Sequence, residues 1–203
     1  MKKLGKMMLL SVMMIFVMLI TGCGADKFAG KWIYQEENGG VQELEIEKNG
    51  DKNGYIIQET RYYYDIKQSM QNEKEYNEYI NINPFERVKK QKERVIPIYD
   101  YECIWKKSSN KNTAQEENNR LIVDGKLGTQ VYAYIEKDDT LQIKNIVYRK
   151  EKDNDLENMK KAIQERIKNK YEEKYNNETQ SKVDKFFQAK LGNITFTDED
   201  TDN

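Results

Sequence analysis

The sequence predicts a mainly β protein: an antiparallel barrel or half-barrel followed by one or two C-terminal α-helices. Three observations predict it. Between residues 28 and 150, apolar and polar side chains alternate with a period of two, in runs separated by Asn, Gly and Asp turn residues. From residue 151 the apolar spacing changes to that of a helix face. The chain has 203 residues, 37% hydrophobic against 34% charged, which allows one modest core and a highly charged surface.

Residues 1–22 read as an address rather than as fold. Lys2, Lys3 and Lys6 make a positive start, and residues 7–20 are apolar apart from Ser11. That run falls short of the roughly 20 apolar residues a spanning helix needs, and it has the length of a signal-peptide core. It ends in Leu19-Ile20-Thr21-Gly22-Cys23. An aliphatic residue, small residues and then a cysteine resemble the lipobox of bacterial lipoproteins. The resemblance implies that a diacylglyceryl group is attached to the Cys23 thiol, that residues 1–22 are removed, and that the protein is held by lipid on the extracytoplasmic side of a cell membrane. Acyl chains contribute about 0.8 kcal/mol per buried CH₂, enough for two or three of them to hold a domain firmly. Residues 23–27 then form the lipidated cysteine and a short spacer.

The β domain is expected over residues 28–150. Residues 31–36 make the first strand. Residues 41–48 place Leu44 and Ile46 on one face and Glu43, Glu45 and Glu47 on the other, after an Asn38-Gly39-Gly40 turn. Residues 55–66 alternate again, beyond a second turn cluster at 49–54. Residues 67–94 are polar and admit either a short helix or a long excursion, closed by Pro84. Residues 94–107 form a clear strand with Tyr99, Tyr101, Cys103 and Trp105 on one parity and Asp100, Glu102 and Ile104 on the other. Pro97 cannot donate to a ladder and belongs at the start, an edge or a bulge. Residues 108–119 are expected to be an exposed loop. Residues 120–123, 129–137 and 140–150 complete the strands, with Asp124-Gly125 and Asp138-Asp139 as hairpin turns.

Residues 151–192 are expected to be an amphipathic helical segment. Leu156, Met159, Ile163, Ile167 and Tyr171 share one helix face, with Asp153 or Asn154 as N-cap. A second helix is expected near residues 180–191, capped by Gly192. Residues 193–203 are expected to be an acidic tail.

Two features of the β domain resemble lipocalins and bacterial lipocalin-like lipoproteins. Phe28-Ala29-Gly30-Lys31-Trp32 is similar to their Gly-x-Trp opening, and Tyr148-Arg149 closes the last strand. The resemblance implies a closed barrel in which Trp32 caps one end and Arg149 packs across its ring, a cation–π contact worth around 0.5–2 kcal/mol. An ordinary core tryptophan is the alternative. Secreted lipocalins carry a disulfide that this chain lacks.

Composition removes most chemistry. There is no histidine, so no His general base, Ser-His or Cys-His pair, or His-ligated metal site can be built. The two cysteines, Cys23 and Cys103, give neither a zinc cluster nor a disulfide framework, and lipidation of Cys23 leaves Cys103 as a buried free thiol. A formal charge of −1 does not suit a nucleic-acid binder. Asp100 and Glu102 share a strand face, but the solvated one. Asp198-x-Asp200-x-Asp202 lacks the glycine and closing glutamate of a calcium loop. We therefore expect no catalytic residues, no metal and no cofactor. The candidate ligand-lining residues are Tyr62, Tyr64, Tyr99, Tyr101 and Trp105. Their rings and polar handles suit either a cup for an apolar or amphipathic ligand or a tyrosine-rich core. The functional expectation is a lipid-anchored, non-enzymatic protein with a small ligand in a barrel cup, or alternatively an accessory protein of an envelope complex that acts through protein contacts.

Overall fold

The computed structural model describes residues 26–50, 53–89, 93–125, 128–176 and 188–199. The leader, Cys23 and most of the expected second helix lie outside the described residues. The chain is mainly β. Its strands are β1 (Gly30–Gln35), β2 (Val41–Lys48), β3 (Gly54–Met70), β4 (Ile98–Glu117), β5 (Arg120–Gly125), β6 (Gly128–Ile135), β7 (Thr140–Ile143), β8 (Ile146–Lys150) and β9 (Lys190–Asp198). Three helices are described: α1 (Glu73–Asn81), α2 (Pro84–Lys89) and α3 (Asp155–Tyr175). The strand order is β3-β2-β1-β8-β7-β6-β5-β4-β9, and β3 pairs back with β4. Eight antiparallel strands thus close into a barrel, and β9 adds in parallel to β4.

The chain divides into two compact units that interleave in sequence. The first takes residues up to 34, 43–59 and 110–151, and it contains segments of all eight barrel strands. First and last barrel strands meet as expected, with Trp32 opposite Lys150 and Ile33 opposite Arg149. Closure removes the unpaired edges that an open sheet would expose. The interior holds Phe28, Trp32, Leu44, Ile46, Tyr55, Ile57, Leu121, Tyr132 and Leu141, each at most 1% exposed.

The second unit takes residues 35–42, 60–109 and 152 onward. In it the later part of β3 and the earlier part of β4 continue as a long hairpin, with β9 on the outer edge of β4, from Ile98 opposite Lys190 to Trp105 opposite Asp198. Helix α3 presents the expected face: Ile163 is 1% exposed, and Leu156, Met159, Ile167 and Tyr171 are half-buried. Asn154 occupies the cap position at φ 64° without a capping side-chain bond. Instead the Lys152 amide donates to Asp155 Oδ2 at 2.6 Å.

Four expectations are corrected. Residues 108–117 are strand, not loop, because Asn118 and Asn119 both take positive φ (49° and 62°) and make a tight two-residue turn. Such primed turns match strand twist, so the polar run can stay paired to its end. Residues 67–94 hold the end of β3 and two helices, so the helical alternative holds there, but Pro84 opens α2 rather than closing the segment. Its missing amide is harmless at a first helical position. Gly192 is not a helix cap but lies within β9, where an added Cβ would meet the Asp100 carboxylate and Gln71 Nε2. Finally, residues 193–198 are not tail. Ile194 and Phe196 turn inward while Asn193, Thr195 and Thr197 face out, a period-two pattern hidden among acidic neighbours.

Candidate functional site

In the first unit the residues sealing the strand ends are locked to one another. Asp26 Oδ1 accepts from the Phe28 and Ala29 amides at 3.0 and 3.2 Å. Its Oδ2 accepts from Tyr55 Oη at 2.7 Å and Lys48 Nζ at 3.2 Å. Burial alone would raise the Asp26 carboxyl, but these bonds outweigh it and hold it below its ordinary value. Trp32 is fully buried, and its Nε1 donates to the Phe28 carbonyl at 2.8 Å. The cation over its ring is Lys150, with Nζ 5.1 Å from the centroid. Arg149, one residue earlier, has the opposite parity, and its guanidinium donates to the Lys150 carbonyl. The expected ring partner is thus shifted by one position, since strand parity sends neighbours to opposite faces.

The five expected ligand-lining residues do not belong to this core. Tyr62, Tyr64, Tyr99, Tyr101 and Trp105 all lie on the hairpin of the second unit. Their shared face is as expected, since Tyr101, Cys103 and Trp105 are 2%, 0% and 9% exposed. Their location differs because the aromatic halves of β3 and β4 fall within residues 60–109 of the second unit. Tyr62 stacks on Trp105 at 6.0 Å, and Tyr64 meets it at 4.7 Å. Tyr101 stacks on Tyr171 of α3 at 3.9 Å and shares a 2.7 Å hydrogen bond with Tyr175. Tyr99 lies 6.2 Å from the Tyr175 ring. Burial raises the phenols of Tyr99 and Tyr101 and brings Tyr64 up to about 12, although a bond from Gln164 Nε2 opposes the rise at Tyr64. Burial also raises the Cys103 thiol above its ordinary value.

Tyrosines and helix α3 enclose a groove of about 480 Å³ in this unit. One wall is α3, through Ile163, Arg166, Ile167, Lys170 and Tyr171. Tyr63, Tyr64 and Ile66 of β3 form the other, and the turn at 37–40 closes one end. The turn is built for close approach. Gly39 takes φ 99°, and a Cβ there would come within 3.0 Å of the Arg166 guanidinium. At Gly40 a Cβ would collide with the Glu36 carboxylate. Glu36 accepts two hydrogen bonds from Arg61, at 2.9 and 2.7 Å, and one from Gln42 at 2.5 Å. Burial would raise its carboxyl, but the Arg61 and Gln42 bonds overcome that and hold it low. A smaller space of about 300 Å³ lies beside Tyr76, Tyr99 and Tyr175.

The three cavities described are lined by second-unit residues. Sequence reasoning placed Tyr171 on the helix face but did not assign Arg61, Arg166 or Lys170 to a site. The signal was present in the helix. Arg166 and Lys170 are one turn apart and flank the Ile163, Ile167 and Tyr171 stripe. Among the described residues no group of three or more Cys, Asp and Glu is placed to hold a metal ion. Comparison with protein-family models, curated proteins and solved structures finds no match to this chain.

Proposed function

We propose that this protein is a non-enzymatic lipoprotein, anchored through Cys23 to the extracytoplasmic face of a cell membrane. It binds a small amphipathic ligand in the groove of the second unit rather than inside the barrel. The observation that carries the reading is the groove of the second unit. In the first unit the buried residues form one apolar cluster, and in the second α3 and β3 leave about 480 Å³ between tyrosine, isoleucine and cationic side chains. Concave sites with a mainly apolar lining and a few polar groups are where small ligands bind. The anchor rests on the lipobox-like pentad and its apolar run.

A second reading, an accessory role in an envelope complex, is favoured by α2. Phe85 and Val88 there are 86% and 80% exposed. Mass spectrometry of protein extracted natively from membranes tests both parts of the first reading. It predicts a diacylglyceryl-modified N-terminal cysteine at residue 23 and a co-purifying small amphiphile. An unmodified N-terminus would overturn the anchor. A ligand-free protein co-purifying with a stoichiometric partner chain would favour the second reading.

A further inference from the structure

The groove is not charge-neutral in the way its lining suggests. Three cations and one carboxylate line it: Arg61, Arg166, Lys170 and Glu37. Arg61 is already neutralised, because its guanidinium grips the Glu36 carboxylate with two hydrogen bonds. Arg166 is not. One of its nitrogens donates to the Glu37 backbone carbonyl at 3.3 Å, a neutral acceptor, while another faces Gly39. Among the described residues no carboxylate lies within ion-pair distance of Arg166 or of Lys170. Other cations of the same helix do find acids: Lys160 reaches Asp198 at 2.5 Å and Lys168 reaches Glu172 at 3.7 Å. Among the described residues, the two cations turned to the groove have no carboxylate within ion-pair distance, and they lie beside Tyr64, Ile66 and Ile167.

We infer that the ligand of this groove carries a single anionic head group, a carboxylate or a phosphate monoester, seated between Arg166 and Lys170 with its apolar part against Tyr64, Ile66 and Ile167. This rests on the groove being the binding site. A guanidinium fork matches the two oxygens of a carboxylate or phosphate, and an ammonium one helical turn away adds a point charge to the same anion. Partial enclosure by rings and aliphatic carbon weakens solvent screening, which strengthens that attraction. Arg61 contributes by keeping Glu36 from competing for the same cations.

The test is calorimetric titration of the folded protein with dodecyl phosphate, dodecanoate, dodecylammonium, dodecyl maltoside and inorganic phosphate, each amphiphile below its micelle concentration. The two anionic amphiphiles should bind at least tenfold more tightly than the maltoside, and dodecylammonium more weakly still. Inorganic phosphate alone should bind at least tenfold more weakly than dodecyl phosphate. Arg166→Gln should weaken dodecyl phosphate roughly tenfold or more, as expected for losing a hydrogen bond to a charged group. Arg166→Lys should recover part of the loss, and both variants should lose much less affinity for the maltoside than for dodecyl phosphate. Thermal melts matching the wild type confirm that the variants are folded. Equal affinity for the anionic and neutral amphiphiles, or tighter binding of dodecylammonium, overturns the anionic assignment and leaves the groove standing. Phosphate binding as tightly as dodecyl phosphate overturns the apolar half. If no amphiphile binds, both the groove reading and this inference fall.

Discussion

Tyr101 of β4 and Tyr171 of α3 lie face to face, their centroids 3.9 Å apart and their planes 26° from parallel. The stack is the central fastening of α3 to the hairpin of the second unit. It is reinforced by the bond between the Tyr101 and Tyr175 hydroxyls and by Gln164 donating to Tyr64. The groove exists because α3 is held there.

Tyr171→Leu keeps apolar bulk but removes the ring. It should lower the unfolding free energy by about 0.5–1.5 kcal/mol, the range for an aromatic pair beyond its buried area. Chemical denaturation of the two proteins measures this directly. No change would mean that the stack does not hold α3.

The acid limb of stability should depend on Asp26 and Glu36. Both carboxyls are held below their ordinary values in the folded protein. A group whose pKa is depressed by folding adds stability above its unfolded pKa, and that contribution disappears as pH falls through the folded value. The melting temperature should therefore be flat above about pH 5 and fall steadily below about pH 4. Glu36→Gln should flatten part of that fall, with Arg61 left exposed to solvent. A melting temperature that rises on acidification would contradict both assignments.

Trp32 and its cation give a third expectation. Trp32→Ala should cost about 3–5 kcal/mol, the range for emptying a buried aromatic site. Lys150→Ala should cost about 0.5–1 kcal/mol through the lost cation–π contact. Arg149→Ala should cost less of this cation–π contribution than Lys150→Ala, since the cation over the ring is that of Lys150. The three values come from one set of denaturation curves, and a larger loss at Arg149 than at Lys150 would reverse the pairing.

Cys103 is fully buried between Tyr101 and Trp105, with its thiol raised by burial. A water-soluble thiol reagent should modify it slowly in the native protein and rapidly after denaturation. Equal rates would show that the hairpin face is open.

Strand parity was legible in the sequence, although the single strand expected over 140–150 is the two strands β7 and β8. The alternation through Leu44 and Ile46, and through Tyr101, Cys103 and Trp105, set which side chains turn inward, and parity survives whatever the strand packs against. That the first and last strands meet followed from the need to close a barrel, although Trp32 was expected to face Arg149 and faces Lys150. Element length was less legible. The Ser108 to Glu117 stretch is polar and reads as loop, but its groups are satisfied across the ladder, as between Thr60 Oγ1 and Ser109 Oγ at 3.0 Å. β9 was hidden because its pairing with β4 is parallel and distant in sequence, with no hairpin turn to announce it. The groove was illegible for a related reason. Gly39, Tyr64 and Arg166 meet only once the helix is docked, and nothing in their spacing along the chain encodes that. Of the five aromatic residues, Tyr64 lines the groove and Tyr99 the smaller space, and all five were assigned to the barrel because the extent of β3 and β4 was underestimated.

The account's central claim is that ligand binds in the groove of the second unit and not in the barrel. The chain has two tryptophans, one in each unit: Trp32 in the barrel core, and Trp105 against Tyr64, which lines the groove. Titrating a brominated dodecyl phosphate into Trp32→Phe and Trp105→Phe proteins reads each site separately, because bromine quenches only nearby indoles. The account predicts saturable quenching of Trp105 in the first protein and none of Trp32 in the second. Quenching of Trp32 with Trp105 unaffected would place the ligand inside the barrel and contradict the claim.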